Sequence, residues 1–275
     1  MDFSERFIDN REQGETRHRQ CQLVMLRMLK ILDYLCEKHG IKYFLTGGSL
    51  LGAIRHKGFI PWDDDLDLGM TRENYEKFVR LAVAELPTDV FFQNPDTDTH
   101  YPENSNVDAR LRDKYSSYNH IDGVNNKWHE GLQIDIFVYD KAFIPSNFII
   151  ICQNAFLKWA TNSKGRANVL KLISKFPLLL VYASNYLQYF GMRKFGDNYI
   201  KKKEIATLVK AKFEDMEFFI PQGWHNCLKR QYGDYMKLPP PEKQQSDHNV
   251  LPDPFTPCMH QEILQWKERS SLAGK

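Results

Sequence analysis

The 275 residues suffice for one large domain or two small ones, because single cores stop growing at roughly 250 to 300 residues, and a composition 42% hydrophobic and 26% charged excludes a chain disordered throughout. A net charge of +2 and a pI near 8.2 give no case for nucleic acid as a partner, so any anionic ligand must be held locally. Cys21, Cys36, Cys152, Cys227 and Cys258 form no C-x-x-C pair, which excludes a zinc ribbon or a disulfide framework, and the start at Met1-Asp2-Phe3-Ser4 has no secretory apolar run. A cytoplasmic location follows as the expectation.

Apolar residues at Leu23, Leu26, Leu29, Leu32 and Leu35 keep a helical period, so a helix is predicted from Thr16 to His39 with Gly40 as its C-cap. Ile41 to Thr46 reads as a strand, Gly47-Gly48 breaks it, and a helical turn follows from Leu50 to Arg55. After Pro61-Trp62 comes an acidic run. Leu66 to Met70 then reads as a strand with Asp65 and Asp67 on one face and Asp64 on the other.

Thr71 is a natural N-cap for a helix from Arg72 to about Glu85, and Val90 to Gln93 reads as a short strand. Alternation predicts two further strands, Val107 to Arg112 and Leu132 to Tyr139, with residues 113 to 130 as a loop between them. Helices are predicted over Asn147 to Thr161, Ala167 to Lys175, Leu178 to Phe190, Lys201 to Glu214 and His260 to Arg269. The apolar stretch from Phe176 to Phe190 is interrupted by Ser184, Asn185 and Gln188 and falls short of the roughly 20 residues that span a bilayer, so no transmembrane segment is expected. The organisation that results is an α+β core over residues 16–145 and a mostly helical region over 146–275.

Chemistry concentrates at three places. Gly47-Gly48-Ser49 leaves a strand and opens a helical turn, where backbone N–H groups and a hydroxyl can receive phosphate; it is neither a Walker nor a Rossmann motif. Asp65 and Asp67 flank one Leu and can chelate a hard divalent cation. Asp135, an acid between Ile134 and Ile136, needs a partner and is the natural third carboxylate. That set suits magnesium, or manganese, together with substrate phosphates. Arg110 and Arg112 share a strand face and rank first as phosphate contacts, ahead of Arg55, His56 and Lys57. His248 is a further residue placed near the substrate.

The run GGSLLGAIRHKGFIPWDDDLDLGM, the strand LQIDIFVYD and the segment QYGDYMKLPPPEKQQSDH from Gln231 to His248 together resemble the LicD/fukutin family, a branch of the nucleotidyltransferase fold related distantly to DNA polymerase β. The resemblance implies a polymerase β-like mixed sheet with flanking helices. It also implies a transferase that moves phosphocholine, or a similar phospho-alcohol, from a CDP-activated donor to a hydroxyl of a cell-surface glycan or its lipid-linked precursor. Gly48 and Ser49 match the family's Gly-Ser loop, Asp65 and Asp67 its paired metal ligands and Asp135 its third carboxylate, either ligand or general base. Choline is a quaternary ammonium, which aromatic faces hold, so Trp62 and Trp128 are the aromatic candidates. A lipid-linked acceptor would bring peripheral membrane contact, through Lys201-Lys202-Lys203 for example. Transfer of a nucleotide, and a silent glycan- or nucleotide-binding module, are the alternatives.

Overall fold

In the computed structural model the described residues are 3–102, 105, 107–121, 126–142, 186–189, 199–246 and 248–260. After a short turn of helix, α1 (Phe3–Arg6), the chain enters its main helix, α2 (Arg17–His39). Thr16 caps α2 by accepting the Arg19 N–H at 3.1 Å, and Gly40 ends it. Met25, Met28, Leu29, Ile31, Leu32 and Leu35 are buried along nearly its whole length. Full burial of one such side chain stabilises by about 1.5–3 kcal/mol, so α2 is the piece on which the core is assembled.

Strands β1 (Phe44–Leu45), β2 (Asp67–Thr71), β3 (Val90–Gln93), β4 (Ala109–Asp113) and β6 (Gln133–Ala142) form a mixed sheet in the order β1-β2-β6-β4-β3. Helices α3 (Gly47–Arg55) and α4 (Arg72–Leu81) flank β2 in the chain. The pairing that matters most is β2 with β6, which is parallel and sets Asp67 abreast of Asp135. On its other side β6 runs antiparallel to β4, with Arg110 opposite Asp135.

Beyond residue 145 the described chain departs from the helical expectation. Tyr186–Tyr189 is strand β7, pairing with β6 and with β8 (Tyr199–Lys201), where a helix to Phe190 was expected. The segment 201–214 holds only one helical turn, α5 (Lys202–Ile205), before β9 (Leu208–Phe213) turns through Glu214-Asp215 into β10 (Met216–Pro221). The two-residue alternation of Val209, Ala211 and Phe213 against Lys210 and Lys212 decided that hairpin, and the basic-then-acidic charge order did not. A nine-residue helix, α6 (Trp224–Tyr232), follows. The expected loop 113–130 contains β5 (Ser117–His120), which pairs with the distant β11 (Val250–Asp253). The helices predicted over 147–161 and 167–175, most of that over 178–190 and nearly all of that over 260–269 lie outside the described residues. Among the described residues no helix is long and apolar enough to cross a membrane.

Candidate active site

Helix α3 begins three residues earlier than its sequence suggested, at Gly47, and the acids explain why its first two residues are glycines. Gly47 has φ +53°, and a Cβ there would stand 2.4 Å from Asp67 Oδ2; a Cβ on Gly48 would stand 2.8 Å from Asp63 Oδ2. The carboxylates thus approach the backbone where only glycine leaves room. The Gly48 N–H is donated to Asp67, and the Ser49 hydroxyl accepts the Asp67 N–H at 2.8 Å. Ser49 is 3% exposed. Its hydroxyl anchors the start of β2, and Gly48 is the member of the turn that lines the open cleft.

Asp65 precedes β2, so residues 63–66 do not follow strand alternation. Asp64, expected to face away from Asp65, instead lines the same cleft as Asp63, Asp65 and Asp67. Asp63 and Asp65 are hydrogen-bonded to each other. Burial, joined by the charge of neighbouring carboxylates and opposed at Asp65 by the charge of His248, holds Asp63, Asp65 and Asp67 above the usual carboxylate range. Asp64 is lowered: burial pushes it up, but hydrogen bonds from His248 and Ser246 outweigh that. His248 Nδ1 lies 2.8 Å from Asp64 Oδ1 and its Nε2 3.7 Å from Asp65 Oδ2. The Asp64 hydrogen bond, opposed in part by burial, raises His248 to about 9, so it stands as an imidazolium against the acids at neutral pH.

Asp135 is buried on the neighbouring strand, its Oδ1 3.0 Å from Arg110 Nε. Arg112 does not fit the phosphate-binding expectation. It is 3% exposed, and it donates from Nε to Gln93 Oε1 and from an η-nitrogen to Gly131 O, each at 2.7 Å. Neither Arg112 nor Arg110 is among the residues that line the cleft; Arg110 stands behind it, paired with Asp135. Trp62 is half-buried, lines the cleft and meets the His56 ring edge-on at 6.1 Å, whereas Trp128 is half-buried but off the cleft lining.

The cleft has a volume of about 640 Å³. Its acids are hard oxygen donors, which suits magnesium, and magnesium keeps waters and substrate phosphates in its shell, so two carboxylates suffice to hold it. Among the described residues no three His, Cys, Asp or Glu side chains are already arranged around a single point: Asp135 is drawn to Arg110, and Asp65 to Asp63 and His248.

The acid-bearing loop is fixed from behind. Gln22 Nε2, on α2, donates to the carbonyls of Asp63 at 3.0 Å and Ile60 at 3.3 Å. At the β9–β10 turn, Glu214 Oε1 accepts the Phe59 N–H at 3.0 Å, its own N–H reaches Lys57 O at 2.8 Å, and Arg19 pairs with its carboxylate. Gly58 is close to that carboxylate too: a Cβ there would stand 2.4 Å from Glu214 Oε1.

Comparison with known proteins decides the family. A family model described as LicD/FKTN/FKRP, nucleotidyltransferase domain, matches residues 40–178. The lipopolysaccharide cholinephosphotransferase LicD of Haemophilus influenzae is 32% identical over 269 residues, covering 84% of this chain and 95% of that protein. The chain belongs to the LicD family. The ribitol 5-phosphate transferase FKRP of Homo sapiens is 51% identical over a shorter stretch of 49 residues, 18% of this chain and 10% of that protein.

The segment matching the LicD family model carries Gly48, Asp65, Asp67, Arg110 and Asp135, while Gln22, Glu214, Tyr232 and His248 reach the site from outside it. Sequence reasoning missed Gln22 and Glu214, which act through contacts between elements far apart in the chain; Tyr232 and Asp234, on the cleft lining, fall in the YGDY segment of the resemblance. Arg55, ranked below Arg110 and Arg112 on sequence, lines the cleft and donates to Tyr235 O at 3.0 Å.

Proposed function

We propose that this LicD-family chain transfers phosphocholine, or a closely related phospho-alcohol, from a CDP-activated donor to a hydroxyl of a cell-surface glycan or its lipid-linked precursor. The observation that carries this reading is the group of carboxylates on one cleft beside the N-terminus of α3, with Asp67 abreast of Asp135, in a chain whose relative is a cholinephosphotransferase.

Asp65 and Asp67 are the residues that would hold magnesium, with Asp135 as the third carboxylate beside Asp67. When bound, magnesium supplies positive charge to the donor diphosphate and to the leaving cytidine monophosphate. Arg110 Nε, 3.0 Å from Asp135 Oδ1, fixes the orientation of that carboxylate, which serves as ligand or as general base. The N-terminal end of α3, with Gly48 on the cleft lining, would receive donor phosphate oxygens, and Arg55 and the imidazolium of His248 add charge at the cleft wall. The acceptor oxygen forms a bond to the choline-bearing phosphorus and the bond from that phosphorus to the oxygen of cytidine monophosphate breaks. The hydroxyl proton passes to a carboxylate of the cluster. Transfer through a loose transition state makes small demands on the base, so positioning and charge neutralisation dominate. A lipid-linked acceptor would bring the reaction to the inner face of the membrane; a free glycan would be met in the cytoplasm.

The test is chromatographic detection of cytidine monophosphate from CDP-choline with a glycan acceptor, in magnesium and in EDTA. Release is expected only with magnesium and is lost in Asp67→Asn. Undiminished release by Asp67→Asn, or pyrophosphate release from a nucleoside triphosphate in place of monophosphate from CDP-choline, would overturn the reading.

A further inference from the structure

The cleft wall furnished by the C-terminal end of α6 has a chemistry unlike that of the acid cluster. Tyr232, the last residue of α6, is 40% exposed at the cleft. Burial, followed by the charges of Asp67, Asp63 and Asp65, raises its hydroxyl well above the ordinary tyrosine range. Trp62 lines the same cleft, backed by the core and by the His56 ring. Asp234 also lines it, exposed, and its carboxylate has no hydrogen-bond or ion-pair partner among the described residues.

This wall is held in place. Arg55 donates to Tyr235 O at 3.0 Å, the Tyr235 hydroxyl meets His225 Nδ1 at 2.7 Å, and the Gly233 N–H closes onto Lys229 O at 3.0 Å. Two aromatic side chains and one uncommitted carboxylate, presented from a fixed frame, suit a particular ligand. A trimethylammonium group donates no hydrogen bonds, carries diffuse charge and is held by ring faces together with an anion that need not touch it. A polyol would require matched donors and acceptors, and a primary ammonium would require acceptors at hydrogen-bond distance.

We propose that Trp62, Tyr232 and Asp234 form the subsite for the quaternary ammonium head of the transferred group, separate from the acids that bind the cation. This assignment rests on the phosphocholine reading above. It makes the C-terminal segment the determinant of which phospho-alcohol is accepted and leaves the phosphate chemistry to the acids and α3.

The experiment compares full-length wild type with Tyr232→Leu, Asp234→Asn and Tyr232→Phe, each first shown to be folded by circular dichroism. Monophosphate release is followed from CDP-choline and from CDP-ethanolamine, which differs only in the three methyl groups. The ratio of kcat/KM for choline over ethanolamine is expected to fall about tenfold in Tyr232→Leu, through KM, as loss of one cation–π contact implies, and to fall in Asp234→Asn. Tyr232→Phe, which keeps the ring, is expected to restore it. An unchanged ratio in both Tyr232→Leu and Asp234→Asn, with wild type turning over CDP-choline, overturns the subsite and leaves the reaction standing. Calorimetric titration with phosphocholine needs no turnover: binding by wild type that is lost in Tyr232→Leu supports the subsite even if no transfer is seen, and absence of binding by wild type overturns it.

Discussion

The clamp behind the acidic loop makes a sharp prediction at Glu214. Replacement by Ala leaves the buried Phe59 N–H without its carboxylate acceptor, and hydrogen bonds to charged groups contribute about 1.5–3 kcal/mol. It also removes the pairing with Arg19, whose side chain is 34% exposed, so solvent screening limits that part to about 1 kcal/mol or less. The left-handed backbone, φ 59°, is shared by Glu and Ala and cancels between them. The total is about 2–4 kcal/mol. For a chain of this size each kcal/mol moves the midpoint by about 2–4 °C, so thermal unfolding of Glu214→Ala should fall by about 5–15 °C. Glu214→Gln, which keeps an acceptor for Phe59, should lose only a few degrees. Because the loop leads directly to Trp62 and Asp63, half-saturation by magnesium, read from stabilisation during a titration, should also shift upward in Glu214→Ala. A midpoint within about 1 °C of wild type, with the magnesium titration unmoved, would refute the claim that this turn positions the acids.

Two further outcomes follow from buried groups away from the cleft. Arg112→Leu should lower the urea midpoint by the equivalent of about 2–4 kcal/mol, since Gln93 and the Gly131 carbonyl lose a buried charged donor, while leaving KM for the donor unchanged; a raised KM in a protein of normal stability would return Arg112 to the phosphate site. His129 is buried, accepts the Gly131 N–H at Nδ1, and is pushed by burial, then by the charge of Arg112, down to about 3. Its folded value lies below its unfolded value near 6.5, so the neutral folded form contributes stability fully above pH 6.5 and loses it as pH falls toward 3, at up to about 1.4 kcal/mol per unit. Urea unfolding at pH 7, 6 and 5 should show a steeper loss for wild type than for His129→Gln, and parallel curves would count against this account.

The elements legible in the sequence were those whose pattern is local. The period of Leu26, Leu29, Leu32 and Leu35 marked α2, and alternation around Asp135 marked β6. Asp67 and Asp135 fall in register on adjacent parallel strands, although among the described residues the three carboxylates of the resemblance are not arranged around a single point. What could not be read depended on depth or on distance along the chain. Alternation places Arg110 and Arg112 on one face but says nothing of how far each lies from solvent, and that separates an ion pair beside the site from a buried structural cation. The partnership of β5 with β11 joins segments more than 120 residues apart, where no local period reports it. Pleating was wrongly extended to Asp64 and Asp65, which precede the first ladder residue of β2.

The contact between His248 and Asp64 bridges 184 residues, and it has a consequence for the order in which the protein is made. Loop closure over such a span comes late and slowly, so during synthesis the acidic loop emerges long before its imidazolium partner. Until residue 248 arrives, the carboxylates repel one another without that counter-charge. The cleft is therefore among the last parts of the molecule to become complete, and a nascent chain carries the acids well before it carries a finished site.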